Sequence, residues 1–359
     1  MQFDERKMQY NKNIVSDIVE GRKRYICFGA GSYFQGFIKK YCYGEKIFPL
    51  PEMVVDNNSN KWGTKIEGVE VKSPDALEDI DIDNTVIALS TNLPLGILND
   101  AFEKYQRHYH MVILLKQIDA YFFVQQNEDK LDQVYNLFED DFSKMAYKEY
   151  FETLLSGSFL CPMIYSPNAY WNNDLIPELE DIGVVYAGAF DGKHVDRALM
   201  ANENCEMYAF EPNKTMYTRL IEKYKERKNV HIYPYALFDE QCKLKFNPAY
   251  ALGAMIVRDE MAESNVDKLD IVEANTMDHV LKNKKIGLIA LDVEGTELCA
   301  LKGAAEIIKR NRPKLGICVY HKLEDYFEIP LYINEKYPDY KLHFRHHSSA
   351  IIESVLYAI

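Results

Sequence analysis

The chain has 359 residues, which is more than one hydrophobic core usually supports, so we expect two domains. Its 42 Lys and Arg residues are outnumbered by 55 Asp and Glu residues, and the net charge of −13 argues against nucleic acid as a partner, because a surface that binds nucleic acid has to be basic. The charged N-terminus and the absence of an apolar run of about 20 residues predict a cytoplasmic protein without membrane insertion.

The cysteine spacing gives no indication of a metal centre. The seven cysteines contain no CxxC pair, and most of them lie in apolar stretches. We therefore expect reduced thiols in the core and predict no metal ligand.

The first part of the chain alternates predicted strands with helical stretches. The strands are Arg24–Phe28, Met53–Val55, Thr85–Leu89 and Met111–Leu115, with helices at Tyr33–Tyr43 and Pro94–Tyr105 and a hairpin at Lys65–Val71. This alternation is typical of a small parallel α/β domain, and we predict a Rossmann-like domain at residues 1–125.

A glycine turn follows the first of these strands. Gly29 and Gly31 begin a sequence like a dinucleotide fingerprint, but Phe34 occupies the position of its third glycine. Asp56 follows the second strand, where a ribose-binding acid is expected. Two interpretations stay open: the domain binds a nucleotide or nucleotide-sugar, or it serves docking or dimerisation and has lost its ligand.

Residues 126–180 are predicted to connect the two domains. Apolar residues recur at near-helical spacing from Glu128 to Leu155. The stretch 156–180 is rich in Pro, Asn and Tyr, and we expect it to form a loop that covers one face of the next domain.

A second α/β unit is predicted at residues 181–359. Its seven strands are Val184–Ala187, Met207–Phe210, Val230–Tyr233, Leu288–Asp292, Leu315–Tyr320, Lys341–Arg345 and Ser354–Ala358. Because only a loop separates the last two strands, they should pair antiparallel. A seven-stranded doubly wound sheet with an antiparallel last strand is the arrangement of the class I methyltransferase fold.

The predicted cofactor site lies where the first strands of this unit end. Gly188 and Gly192 form a turn after the first strand, and Glu211 ends the second. Such a turn lets the backbone approach a nucleoside cofactor, and the acid accepts hydrogen bonds from ribose hydroxyls. With the wider context, this layout predicts S-adenosylmethionine. The cofactor-binding residues we expect are Tyr186, Gly188, Ala189, Asp191, Gly192, Glu211, Asn213, Ala236 and Leu237.

Ionisable side chains follow the fourth and fifth strands. Asp292 and Glu294 share one face of a strand end, and His321 ends the neighbouring strand. We predict these three as catalytic residues, with His321 or Asp292 as the base that assists a hydroxyl acceptor. Glu297 is interpreted as a helix N-terminal charge, and a structural role for His321 stays open.

Several motifs in register resemble the FkbM family of S-adenosylmethionine-dependent methyltransferases. They are Val185–Val195, Tyr208–Asn213, Leu291–Glu297, Leu301–Ala304 and a series of terminal motifs from Tyr320-His321-Lys322 to Leu356-Tyr357-Ala358. The resemblance covers roughly residues 130–359. It implies O-methylation of a sugar hydroxyl in a polysaccharide, glycolipid or nucleotide-sugar precursor, for example in capsule or lipopolysaccharide biosynthesis.

One position departs from the family pattern. The family usually has an acidic residue where this chain has Tyr186. Because a tyrosine cannot neutralise an ammonium group, either Asp191 takes over this role or the cofactor binds more weakly. Two alternatives to a methyltransferase stay open: a nicotinamide-dependent sugar oxidoreductase or epimerase acting through the N-terminal domain, and a catalytically degenerate binding protein. The acceptor and a homo-oligomeric state are not determined by the sequence.

Overall fold

The computed structural model describes residues 1, 3–90, 109–156, 164–180, 182–246, 256–257, 270–348 and 352–359. By its internal contacts the chain forms two compact units. The first comprises Met1–Glu128 and Tyr150–Cys161, and the second comprises Asp129–Glu149 and Pro162–Ile359. The helix predicted at Pro94–Tyr105 lies outside the described residues. No helix of the described part is both long and apolar enough to cross a bilayer.

The first unit contains a six-stranded sheet with the spatial order β3-β4-β2-β1-β5-β6. The strands are β1 (Arg24–Phe28), β2 (Val54–Val55), β3 (Lys65–Ile66), β4 (Val69–Lys72), β5 (Thr85–Leu89) and β6 (Val112–Leu114). All neighbours are parallel except the β3–β4 hairpin. β5 is buried along its whole length, as expected for an apolar strand of a parallel sheet.

The helices of this part begin with α1 (Glu5–Val19) and α2 (Ser32–Phe37). The predicted single helix at Tyr33–Tyr43 is instead α2 followed by a π-helix, Ile38–Gly44. Single 3-10 turns cover Ser59–Lys61 and Pro74–Leu77. The helical stretch predicted near residues 128–155 is formed by α3 (Leu115–Leu137) and α4 (Asp141–Leu155).

The second unit contains a seven-stranded sheet with the order β16-β17-β15-β14-β7-β8-β9. Its strands are β7 (Gly183–Ala187), β8 (Glu206–Phe210), β9 (Val230–Tyr233), β14 (Ile286–Leu291), β15 (Lys314–Cys318), β16 (Leu342–His346) and β17 (Ser354–Ala358). β17 runs antiparallel to both of its neighbours, and the other pairs are parallel. The predicted α/β fold, with its antiparallel last strand, is confirmed.

A smaller sheet in this unit was not predicted. It has the order β10-β13-β11-β12, with β10 (Ala236–Leu237), β11 (Cys242–Phe246), β12 (Ile256–Val257) and β13 (Asp270–Asn275). It could not be predicted from the sequence, because two of its four strands have only two residues and the segment lacks clear periodicity.

The helices of the second unit are α5 (Lys193–Ala201), α6 (Lys214–Tyr224), α7 (Met277–Val280), α8 (Glu297–Lys302), α9 (Ala305–Asn311) and α10 (Asp325–Lys336). Between β14 and β15 the chain forms two helices, α8 and α9, with a break between them. At the break, a Cβ atom on Gly303 would lie 2.0 Å from the carbonyl oxygen of Phe238. Only glycine allows this close backbone approach.

Candidate active site

A glycine turn follows β7 at the carboxyl edge of the seven-stranded sheet. Gly188 has a φ of 88° and Gly192 a φ of 82°, in the left-handed region that favours glycine. A Cβ atom on Gly188 would lie 1.9 Å from the carbonyl oxygen of Asp292. The amides of Gly188 and Ala189 both donate to the carbonyl of Phe210 at 3.0 Å. The turn is thus held against the backbone of both neighbouring strands, and the first glycine cannot be replaced without moving one of them.

Glu211, directly after β8, bonds to this turn. Its Oε2 accepts a hydrogen bond from the Phe190 amide at 2.7 Å, and its Oε1 accepts one from the Asn213 amide at 2.8 Å. Burial raises the pKa of Glu211, and the two amide donors offset part of that rise. A carboxylate offers about four acceptor positions. Each oxygen of Glu211 can therefore accept one more bond, which matches the two hydroxyls of a ribose.

Tyr186 belongs to an aromatic cluster. Its ring stacks on that of His194 with centroids 5.0 Å apart, and Tyr170 and Trp171 pack against it edge-on. Burial raises the pKa of the Tyr186 hydroxyl. The hydroxyl therefore stays neutral, and packing among aromatic rings replaces the acidic residue that the family pattern has at this position.

The other predicted cofactor residues lie on three elements. Asp191 is exposed, and its Oδ1 accepts a hydrogen bond from the Lys193 amide at 2.9 Å. The Asn213 side chain caps α6 by accepting hydrogen bonds from two amides of the first turn. Ala236 and Leu237 are buried in β10. The Asp191 carboxylate is thus exposed to solvent at the turn, whereas the Asn213 side-chain oxygen is already used to cap α6.

Four ionisable side chains meet after β14 and β15. His321 Nε2 lies 3.4 Å from Asp292 Oδ1 and 3.3 Å from Glu294 Oε2. On the other side of the ring, His321 Nδ1 lies 2.8 Å from Glu297 Oε1. The side chain of Glu297 is fully buried and that of His321 is 9% exposed, whereas 34% of Glu294 is exposed. The three predicted catalytic residues are therefore neighbours, at the edge of the sheet where ligands bind in open α/β folds.

Glu297 has a larger role than the sequence analysis assigned to it. It begins α8, but its buried Oε1 also accepts a hydrogen bond from the Val293 amide at 3.0 Å and pairs with His321. The interpretation as a simple helix N-terminal charge is thus incomplete. Its position five residues after Asp292, in a predicted first turn, was the only available signal.

The mutual influence of these groups determines their proton affinities. Burial lowers the pKa of His321, but Glu297 and the other two carboxylates together raise it to about 9. Burial raises the pKa of Glu294 to about 7, although His321 opposes the rise. Burial also raises the pKa of Asp292. Near neutral pH, His321 is therefore a cation, and Glu294 titrates.

Two tyrosines hold Asp292 in place, and the sequence analysis assigned neither of them to the site. The Tyr170 hydroxyl donates to Asp292 Oδ2 at 3.1 Å, and the Tyr320 hydroxyl lies 3.2 Å from Oδ1. Tyr170 is fully buried and adopts a left-handed backbone conformation with a φ of 70°. Strained non-glycine residues are concentrated at functional sites. Tyr170 and Asp292 are 122 positions apart, so no local pattern could have connected them.

The histidines at the end of β16 have other partners. His346 Nδ1 lies 2.9 Å from Ser354 Oγ. His347 Nδ1 lies 2.8 Å from the Ser166 carbonyl oxygen, and its Nε2 lies 2.8 Å from the Tyr357 hydroxyl. These bonds connect β16 with β17 and with the preceding loop, which is a structural role.

In the first unit, Asp56 bonds to the glycine turn itself. Its Oδ2 accepts hydrogen bonds from the Ala30 amide at 2.8 Å and from Lys61 Nζ at 3.0 Å. Lys61 Nζ also donates to the Ala30 carbonyl at 3.1 Å. Because the Asp56 carboxylate is already paired with the Lys61 ammonium group, it is poorly suited to accept a hydrogen bond from a ribose hydroxyl. This arrangement favours the docking or dimerisation interpretation of the domain.

Comparison with known proteins gives a family match within the second unit. Residues 187–342 match the family model of the Methyltransferase FkbM domain. The chain is similar to a solved methyltransferase FkbM from Methylobacillus flagellatus KT, with a TM-score of 0.62 and 16% identity over 96% of this chain and 93% of that chain. It is also similar to fibrillarin from Aeropyrum pernix, solved with natively bound S-adenosyl-L-methionine (TM-score 0.33, 11% identity, 50% of this chain and 67% of that chain). No curated protein gives a significant match. At 16% identity, the solved FkbM structure shows the fold alone.

Proposed function

We propose that this chain, whose residues 187–342 match the family model of the Methyltransferase FkbM domain, transfers the methyl group of S-adenosylmethionine to a hydroxyl group of a carbohydrate. The observation that carries the proposal is the arrangement at one sheet edge. Glu211 lies beside the glycine turn, and Asp292 and Glu294 lie across from it after β14. A cofactor site and a site for a protic acceptor thus share this edge.

The residues around the turn fit the cofactor. Gly188 and Gly192 let the turn adopt its left-handed conformation against neighbouring protein groups, and Glu211 retains acceptor positions for ribose hydroxyls. When bound, S-adenosylmethionine would supply a methyl group on a sulfonium, which is already a good donor. The main task of the chain is then to align the acceptor oxygen with that methyl group.

Glu294 is the side chain best suited to take the proton of the acceptor hydroxyl. A general base works best when its pKa lies near the working pH, and burial brings the pKa of Glu294 to about 7. His321, with a pKa of about 9, holds its proton at neutral pH and is better suited to orient the carboxylates. The base we propose therefore differs from the two candidates that the sequence favoured.

The acceptor class is supported by the chemistry of this edge and by the family resemblance. Carboxylates and tyrosine hydroxyls bind sugar hydroxyls well, and Asp292, Glu294 and Tyr320 supply both. With a net charge of −13, the protein would repel a strongly anionic acceptor. A neutral polyol avoids this repulsion. A cytoplasmic location fits such a substrate and stays a prediction.

The test uses the full chain, S-adenosylmethionine with an isotope-labelled methyl group, and a panel of hexoses, deoxyhexoses and nucleoside-diphosphate sugars. We expect label in one acceptor and a kcat for Glu294→Gln that is lower by about two orders of magnitude, the lower range for loss of a general base. Glu335→Gln, an exposed change on α10, should leave kcat unchanged.

Calorimetry separates the alternatives. Binding of S-adenosylhomocysteine is expected. Binding of NAD alone would favour the oxidoreductase or epimerase, and binding of neither would favour a degenerate protein. Label that enters no hydroxyl in the panel, but does enter a nucleic acid or a protein, would contradict the acceptor class.

A further inference from the structure

The acidic cluster contains a buried ring nitrogen without a hydrogen-bond partner. Among the described residues, His321 Nε2 and Glu297 Oε2 are both buried and make no hydrogen bond. His321 Nε2 lies between two carboxylate oxygens, at 3.4 Å from Asp292 Oδ1 and 3.3 Å from Glu294 Oε2. Buried polar atoms are nearly always satisfied, so an orphaned nitrogen pointing between two carboxylates indicates a missing ligand.

The surroundings fix the orientation of this histidine. Glu297 Oε1 lies 2.8 Å from Nδ1 and is placed to accept its proton, which leaves Nε2 facing Asp292 and Glu294. A metal ion at Nε2 would displace the proton that this nitrogen carries in the metal-free protein. A carboxylate behind an imidazole is the usual outer partner of a metal-binding histidine. Asp292 is likewise held by the Tyr170 hydroxyl through its other oxygen. Two of the three groups around the gap are therefore already positioned.

We propose that His321 Nε2, Asp292 Oδ1 and Glu294 Oε2 bind one hard divalent cation of the Mg²⁺ or Mn²⁺ class. Metal–oxygen distances of about 2.1 Å place neighbouring ligand atoms about 3 Å apart in an octahedral site. The two separations from His321 Nε2, 3.3 and 3.4 Å, are a few tenths of an ångström larger. The two carboxylates suit hard ions of this class, and the one imidazole favours Mn²⁺ over Mg²⁺. The sequence had indicated no metal ligand, because these residues come from two separate strand ends.

The local charge balance favours the same occupant. Three carboxylates, Asp292, Glu294 and Glu297, surround one imidazole, and the buried carboxyl group of Asp325 also acts on Glu297 and His321. The neighbouring Lys322 ammonium donates to the Gly295 carbonyl. A dication between the carboxylates would offset their mutual repulsion, which a single imidazole offsets only in part.

The ion would also change the task of Glu294, and this part depends on the proposed function. A cation at this edge can hold the acceptor hydroxyl and lower its pKa. Glu294 would then serve as a ligand. The two roles are distinguishable, because activity lost with a weakened ligand returns at high metal concentration, whereas activity lost with a base does not.

The experiment is a Mn²⁺ titration of the full chain, freed of metal with a chelator and followed by electron paramagnetic resonance. We expect one Mn²⁺ per chain, displaced by excess Mg²⁺. Glu294→Gln should weaken Mn²⁺ binding on the order of ten- to a hundredfold, the range seen even for outer partners. The exposed Glu335→Gln should bind Mn²⁺ like the wild type. Asp292→Asn is the second variant, because replacing His321 would leave the buried Glu297 unpaired and endanger folding.

The outcomes are separable from those of the proposed function. Absence of stoichiometric Mn²⁺ binding, or equal affinity in wild type, Glu294→Gln and Asp292→Asn, overturns the metal site. Binding of Zn²⁺ without Mn²⁺ overturns the assigned class of ion. If S-adenosylhomocysteine binds and methyl transfer proceeds with chelator present, the metal site alone fails. If S-adenosylhomocysteine does not bind, the proposed function fails, irrespective of the result of the Mn²⁺ titration.

Discussion

Replacement of Glu211 by Gln tests the cofactor site most directly. The carboxylate accepts the Phe190 amide at 2.7 Å and the Asn213 amide at 2.8 Å, so each of its oxygens already holds one backbone donor. Glutamine keeps one acceptor oxygen and turns an NH₂ group towards the other amide. One buried N–H thus loses a charge-assisted bond, which costs about 1.5–3 kcal/mol of unfolding free energy.

The same change removes an acceptor for one ribose hydroxyl. A loss of about 1.5–3 kcal/mol corresponds to roughly ten- to hundredfold weaker binding of S-adenosylhomocysteine. Isothermal calorimetry on the full chain measures the affinity, and urea unfolding measures the stability. Glu206→Gln is the matched control, because Glu206 lies exposed at the opposite end of β8, where it pairs with His231. Wild-type affinity in Glu211→Gln would refute the assignment of Glu211 to the ribose.

Three further changes test the packing around the site. Gly188→Ala should lower the unfolding free energy by more than about 3 kcal/mol, because the new Cβ would lie 1.9 Å from the Asp292 carbonyl oxygen; a near-normal urea midpoint would contradict this. Burial lowers the pKa of His194 from 6.5 to about 4. The stability that the neutral, buried imidazole contributes is therefore fully present above pH 6.5 and is lost as the pH falls towards 4. The loss in unfolding free energy amounts to about 3 kcal/mol at most. His194→Phe should flatten the pH dependence of Tm in this window, whereas a change at the exposed His279 should not. Tyr170→Phe removes a hydrogen-bond donor to Asp292. It should lower the unfolding free energy, measured in urea, by about 1–3 kcal/mol, and it should also lower kcat. Unchanged values of both would show that this contact is unimportant.

The local periodicity of the sequence was sufficient to predict the α/β architecture. Strands such as β5 and β14 are short apolar runs between polar segments, which is the pattern of strands buried on both faces. Only a loop separates β16 from β17, and this predicted their antiparallel pairing. The turn at Gly188 was also visible, because a positive φ next to a neighbouring strand leaves glycine as the only residue that fits.

The environment of the side chains was decided by tertiary packing. Tyr186 could be recognised as a departure from the family pattern, but only the fold shows that its ring stacks on His194. The partnership of Glu297 with His321 joins residues 24 positions apart, and that of Tyr170 with Asp292 joins residues 122 positions apart. Sequence patterns reflect burial and hydrogen bonding along one element, whereas proton affinities and ligand positions depend on groups that separate elements bring together. The sequence therefore located the strand ends that carry the chemistry, and the tertiary structure determined which of their side chains act on one another.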